Sequence, residues 1–254
     1  MPIITDPCQW VVDRLRARRP FFSMRYNDGE HILMFRVKPD GFLAGDATHL
    51  HHRHGDEIRQ VLVEMSKSNP DDLLLGCSWH TDREDALNNR FEALIGELGM
   101  TDFNWTGGHW PLDGVPGGNT RRMLEETPLN TCLVTNGSLL AAAKCMSAGH
   151  IEVPASDSWA AVSETERTCR WLLKVFPQTV FVWAAGHGLK PVAWQLWKEF
   201  PQSSHVDVGH LFDGCFGLKN RGWLERGDGP WYKPYMEEFA PWVRSFVPYV
   251  PSQS

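Results

Sequence analysis

Hydrophobic and polar positions along the chain separate into two periods. Over Cys8–Arg18 the apolar residues Trp10, Val11 and Leu15 share one helical face and arginines take the other. Pro20 ends that helix, and Phe21–Tyr26 reads as a strand. Glu57–Lys67 is an amphipathic helix with Asp56 placed to cap it. Asp72–Cys77 is a short, continuously apolar strand. Asp82–Leu98 predicts a helix with Leu87, Phe91, Leu94, Ile95 and Leu98 inward, closed by Gly99.

The second half alternates regularly. Thr131–Thr135, Ile151–Val153, Thr179–Ala185 and His205–Val208 are strands. Ser138–Ser147, Ser156–Val175 and Leu189–Phe200 are the helices between them. Strands without inside/outside alternation, separated by helices, imply a parallel sheet covered on both faces. The fold class expected is therefore α/β: doubly wound, mostly parallel and Rossmann-like. Residues 103–120 (FNWTGGHWPLDGVPGGNT) carry no period and read as a long loop. The organisation expected is one domain over 1–254 with a Gly/Pro/Trp-rich insertion at about 103–120.

Composition narrows the class. No apolar run approaches the roughly 18 residues of a membrane span, and MPIITDPCQW lacks a secretory layout. Six cysteines, without a CxxC pair and set mostly in apolar segments, predict reduced buried thiols and a cytoplasmic setting, bacterial or phage-infected. A net charge of −6 does not advertise a nucleic-acid binder. The basic run Arg14–Arg19 reads first as a solvated helix face. The histidine run His49–His54 has few acidic or thiol partners beside it, which disfavours a metal site.

In doubly wound sheets ligands bind beyond the carboxyl ends of the strands. Five predicted strand ends carry polar loops: Asn27-Asp28-Gly29-Glu30, Asn136-Gly137-Ser138, the PASDSW segment with Asp157, Gly186-His187-Gly188-Leu189-Lys190, and Gly209-His210. The GHGLK turn before a helix suits an anion, because glycines admit backbone N–H groups and the helix dipole adds to them. Asp28-Gly29-Glu30 offers two hard oxygen ligands for Mg²⁺ or Mn²⁺. Read alone, each of these is ordinary turn chemistry.

Together the segments resemble a known family. FSMRYNDGE is similar to the S-x-x-R-x-G-D-G-E motif of GT-D-type glycosyltransferases, with Asn27 where that motif has glycine. HIEVPASDSWA resembles that family's strand and Pro-Ser-x-x-Ala-Phe segment. TVFVWAAGHGLK and HVDVGH resemble its Gly-x-x-x-Lys turn and its Asp-x-Gly-His strand. The similarity runs over about residues 21–213. It implies a transferase using a nucleotide-diphosphate sugar, UDP favoured, with Mn²⁺ or Mg²⁺. Asp28 and Glu30 would hold the metal. Arg25 would face the donor phosphates with Ser23 supporting the turn, and Gly186, Lys190, Asp207 and His210 would line the donor site, to which the strand-end reading adds Asn136 and Gly188. Asp157, His187 and His210 remain open as the base. On this view Asp28→Asn or Glu30→Gln lowers turnover on the order of 10²–10³-fold.

The acceptor stays open at this point: a glycan, a small molecule, or hydroxymethylated bases of phage DNA. For DNA the groove would comprise Arg14–Arg19, the histidine run, Trp105 and Trp110. A non-catalytic nucleotide-binding module is the remaining alternative.

Overall fold

The computed structural model describes residues 3–35, 53–77, 85–154, 158–218 and 222–246. Seven strands form one sheet: β1 (Phe22–Tyr26), β2 (Leu73–Cys77), β3 (Trp105–Gly107), β4 (Thr131–Asn136), β5 (Gly149–Val153), β6 (Val180–Ala184) and β7 (Ser204–Asp207). Their order is β3-β2-β1-β7-β6-β4-β5, and every pairing is parallel. The doubly wound α/β expectation holds.

Burial explains the strand pattern. Every residue of β1, β2, β6 and β7 is buried, so both faces are covered and no alternation is visible in the sequence. β5, at the sheet edge, is mostly exposed or half-buried. Successive residues serve opposite layers: Leu74 and Leu133 join one core, and Leu73, Leu75 and Val134 join the other.

The first layer holds α1 (Pro7–Ala17), α5 (Trp110–Asp113), α6 (Asn119–Glu125), a 3₁₀ segment (Gly137–Met146) and the chain after β7. The second holds α2 (Asp28–Phe35), α3 (Arg53–Met65), α4 (Asp85–Glu97), α7 (Val162–Val175) and α8 (Lys190–Glu199). All six cysteines are free and buried. Among the described residues no helix is long and apolar enough to cross a membrane.

Several expectations are corrected. Residues 103–120 are not an inserted loop. Trp105–Gly107 is the edge strand β3, paired with β2, and short helices follow it. Trp105 and Trp110 are 0% and 1% exposed, because indoles of that size bury where core space exists. They line no acceptor groove. Helix α3 begins at Arg53, so Asp56 lies in its first turn and is not its cap. The segment after β4 is 3₁₀ over Gly137–Met146. The long helix before β6 is 3₁₀ over Ser158–Ala161 and α from Val162.

Two buried histidines set an acid limit on the fold. His31, in α2, is 0% exposed, and burial lowers its pKa from 6.5 to about 4. His205, in β7, is buried between Trp183 and Ser203, and burial lowers its pKa from 6.5 to about 3. Both are neutral when folded, whereas the unfolded chain protonates them below 6.5. Stability is therefore expected to fall as pH drops through 6.5 toward 4. His31 alone contributes on the order of 3 kcal/mol to that loss. Urea midpoints measured across this range check it, and a flat profile above pH 5 would contradict it.

Candidate functional site

The centre of the sheet supplies the site. Strands β1 and β2 pair along five residues, whereas β1 and β7 pair only at Phe22↔His205 and Ser23↔Val206. Beyond that point the Asp207 side chain takes over the role of the ladder. Its Oδ2 accepts from the Arg25 backbone N–H at 3.1 Å, and its Oδ1 accepts from Gly209 N–H at 3.0 Å and Arg25 Nη2 at 3.1 Å. A carboxylate thus sits where two parallel strands part, at the carboxyl edge between the two halves of the sheet.

Lys190, the first residue of α8, reaches into the same gap. Its Nζ donates to Arg25 O at 2.5 Å and Asp207 Oδ2 at 2.7 Å, and lies 3.1 Å from Glu30 Oε1. Glu30 Oε1 also accepts from His187 Nδ1 at 2.6 Å. The two carboxylates are 4% and 8% exposed. Burial alone raises the Glu30 pKa, but Lys190, His187 and the Asn27 N–H outweigh it, and the carboxyl titrates well below 4.5. For Asp207 burial is likewise outweighed by Arg25 and Lys190, and its pKa lies below 3.8. Both are ionised. An ionised Glu30 can only accept, so His187 Nδ1 carries the proton and Nε2 is the ring's remaining nitrogen.

The Asn27-Asp28-Gly29-Glu30 segment is a helix start and not a loop. Asn27 C=O accepts from His31 N–H at 3.0 Å, which makes Asn27 the N-cap of α2. Glu30, at the third helical position, accepts from the Asn27 N–H at 2.9 Å, as in a capping box. Asn27 also makes a contact that glycine could not, since its Nδ2 donates to Gly108 O at 3.3 Å. Gly29 serves a close approach: a Cβ there would lie 2.3 Å from His187 Cε1.

Both Glu30 oxygens are engaged, so a divalent ion on Glu30 would have to displace an ammonium and break the helix cap. Glu30 as placed does not fit a direct metal ligand, and no chemical step is assigned to a metal. Among the described residues no three His, Cys, Asp or Glu side chains converge as a metal set.

The turn after β6 carries the other expected residues. Gly186 has φ 71° and ψ −173°, a backbone open essentially to glycine. Gly188 N–H donates to Ser158 Oγ at 3.2 Å, and a Cβ on Gly188 would lie 2.8 Å from Trp159 N. Neither the 3₁₀ turn His187–Leu189 nor α8 has a side-chain cap from its N-cap residue. Ser23 lies two residues before Arg25 on the same strand face, buried inside the sheet and short of the edge. Asn136 ends β4 and accepts from Ser138 Oγ, two strands away from Asp207. Asp157 lies outside the described residues, as do 49–52 of the histidine run.

Comparison with family models, with curated proteins and with solved structures returned no match. The site therefore stands on its own geometry. That geometry unites Arg25, Glu30, His187, Lys190 and Asp207, and sets Ser23 and Asn136 apart.

Sequence reading also missed residues here. Gly108 O accepts from Arg25 Nη1 at 3.1 Å and from Asn27 Nδ2 at 3.3 Å. His109 follows it, 6.2 Å ring to ring from His210. The GGHW tetrapeptide was their only local signal. In the basic run, Arg14 donates to Asp71 O, Arg16 pairs with Glu126, and Arg19 pairs with Asp72 at 3.0 Å.

Proposed function

We propose that this chain is a glycosyltransferase that moves a sugar from a nucleotide-diphosphate donor, UDP favoured, to an acceptor hydroxyl. The observation that carries the reading is the Arg25–Asp207–Lys190–Glu30–His187 network, beneath a glycine turn at the carboxyl edge. Two cations held in fixed positions by carboxylates are pre-organised to meet a diphosphate with little rearrangement. The dipole of α8 acts in the same direction.

The donor's diphosphate would lie on this turn, with Lys190 and Arg25 taking up the charge that develops as the glycosidic bond breaks. Glu30 fixes the His187 tautomer, as a carboxylate does for a catalytic imidazole. That makes His187 the preferred base of the three candidates for the acceptor hydroxyl. If Mn²⁺ or Mg²⁺ takes part, Asp28 would hold it, and the ion would supply positive charge to the leaving diphosphate.

A second reading, a non-catalytic nucleotide-binding module, is favoured by one observation: Glu30 and Asp207 are fully satisfied within the protein. A panel of nucleotide sugars, with Mn²⁺ and with EDTA, separates the two. Donor hydrolysis and a raised melting temperature with one nucleotide series are expected. A thermal shift without hydrolysis of any donor supports the module. No shift and no hydrolysis with any nucleotide sugar sinks both readings.

A further inference from the structure

We propose that this chain pairs with a second copy of itself through the outer face of α7, the two helices lying antiparallel about residue 169. The inference goes beyond the sugar-transfer reading and uses none of the residues of the Arg25–Asp207–Lys190 network.

Helix α7 has two distinct faces. Thr165, Cys169 and Leu173, four residues apart, are its buried face. The opposite face carries Glu164, Arg167, Trp171 and Lys174, all exposed. Their spacing of three, four and three is that of the a and d positions of a coiled-coil seam. Trp171 is 64% exposed, and Val175 and Phe176 continue the apolar surface past the helix end. Single exposed apolar residues are ordinary, but adjoining ones on one seam form a patch. A shallow depression of about 430 Å³ runs along this seam, lined by Ser163, Glu166, Arg167, Arg170, Trp171 and Lys174. Arg170 is held there by Glu166 at 2.8 Å and by Glu199 of α8, so the wall of the depression is fixed.

Charge selects the occupant, because the seam complements itself when read in reverse. Antiparallel pairing about residue 169 sets Glu164 opposite the partner's Lys174, and Arg167 opposite the partner's Trp171. Two-fold symmetry makes each contact twice. The first is an ion pair, and the second lays a guanidinium on an indole face. Parallel pairing would oppose glutamate with glutamate and lysine with lysine. Within one copy Glu164 lies 3.7 Å from Arg167, with side chains 79% and 78% exposed. So solvated a pair contributes little and can rearrange onto a partner. An anionic lipid surface fits this face less well, since Glu164 and Glu166 share it with the cations. One helix pair is a small interface, so a dimer with Kd on the order of 10 μM is expected.

The test uses the full chain in sedimentation velocity at low salt, from about 2 to about 200 μM. The wild type is expected to pass from monomer to dimer across that range. Trp171→Ala is expected to weaken association about tenfold or more. Glu164→Lys and Lys174→Glu are each expected to weaken it as well, because each creates two like-charge pairs across the seam. Mixed in equal amounts, these two variants are expected to associate again, since every facing pair is then of opposite charge. All three positions are exposed, so melting temperatures within about 2 °C of wild type are expected and confirm that the variants are folded.

A wild type that stays monomeric up to about 200 μM overturns the proposal. So does a dimer that all three substitutions leave unchanged, which places the contact elsewhere. Loss of association in both charge variants without recovery on mixing overturns the antiparallel register, and the proposal with it. Flotation with phosphatidylserine vesicles that depends on Trp171, without self-association, makes the partner a lipid surface and overturns it too.

Discussion

Lys190→Met is expected to lower folding stability by about 3–5 kcal/mol, read as a fall in the urea midpoint at pH 7. Methionine preserves most of the side-chain volume, so the loss isolates the charge. The ammonium makes three contacts within 3.1 Å: Arg25 O, Asp207 Oδ2 and Glu30 Oε1. Without it, two carboxylates under 10% exposed share one remaining guanidinium and an imidazole. Breaking a buried ion pair from one side costs more than the pair contributes as a whole, because the partner charge is stranded. Adding Glu30→Gln to Lys190→Met is therefore expected to recover part of the loss. A single variant within about 1 kcal/mol of wild type would show that the network is not balanced as ion pairs. The double variant also tests function, since a folded protein without Lys190 is expected to lose its UDP-induced thermal shift.

Glu30→Gln is the second large effect. Turnover is expected to fall on the order of 10²–10³-fold, as a direct metal ligand would also predict. The cause differs, and so does the readout. A neutral glutamine amide puts no charge beside His187, so the fixed tautomer is lost, and the N-cap contact weakens at Asn27. The Mn²⁺ or Mg²⁺ concentration for half-maximal rate is expected to stay unchanged. If it rises in step with the loss of rate, Glu30 is a metal ligand and the positioning role fails. Asp207→Asn gives a control for burial, because it perturbs the same network without touching His187.

The carboxylates add to the pH dependence set by the histidines. Their folded pKa values lie below the ordinary 4.5 and 3.8, so their stabilisation is present above those values. It is lost as pH falls below them. Acid unfolding that begins with His31 and His205 therefore steepens in the carboxylate range.

Much of the fold was legible because its strands are continuous apolar runs between helices of clear period. β1, β2, β4, β6 and β7 were each legible within one or two residues. β3 was not: three residues among glycines carry too short a pattern to register, and its Trp105 shows inward only once β2 lies beside it. The helix at Asp28–Phe35 carried an unused signal. Asn27 followed three residues later by Glu30, ahead of HILMF, is the spacing of a capping box.

By itself the sequence determined the layering and the carboxyl edge, since buried parallel strands need apolar residues on both faces wherever they occur. It also placed charged and glycine residues at those strand ends. Which of them meet was decided only by the tertiary structure. Arg25 and Asp207 are 182 positions apart, and Arg25 and Lys190 are 165 apart. They come together because β7 inserts beside β1 and then parts from it after two rungs, leaving backbone donors that only a side chain can satisfy. No local pattern encodes that gap, because strand order arises from how the helices pack across the whole sheet.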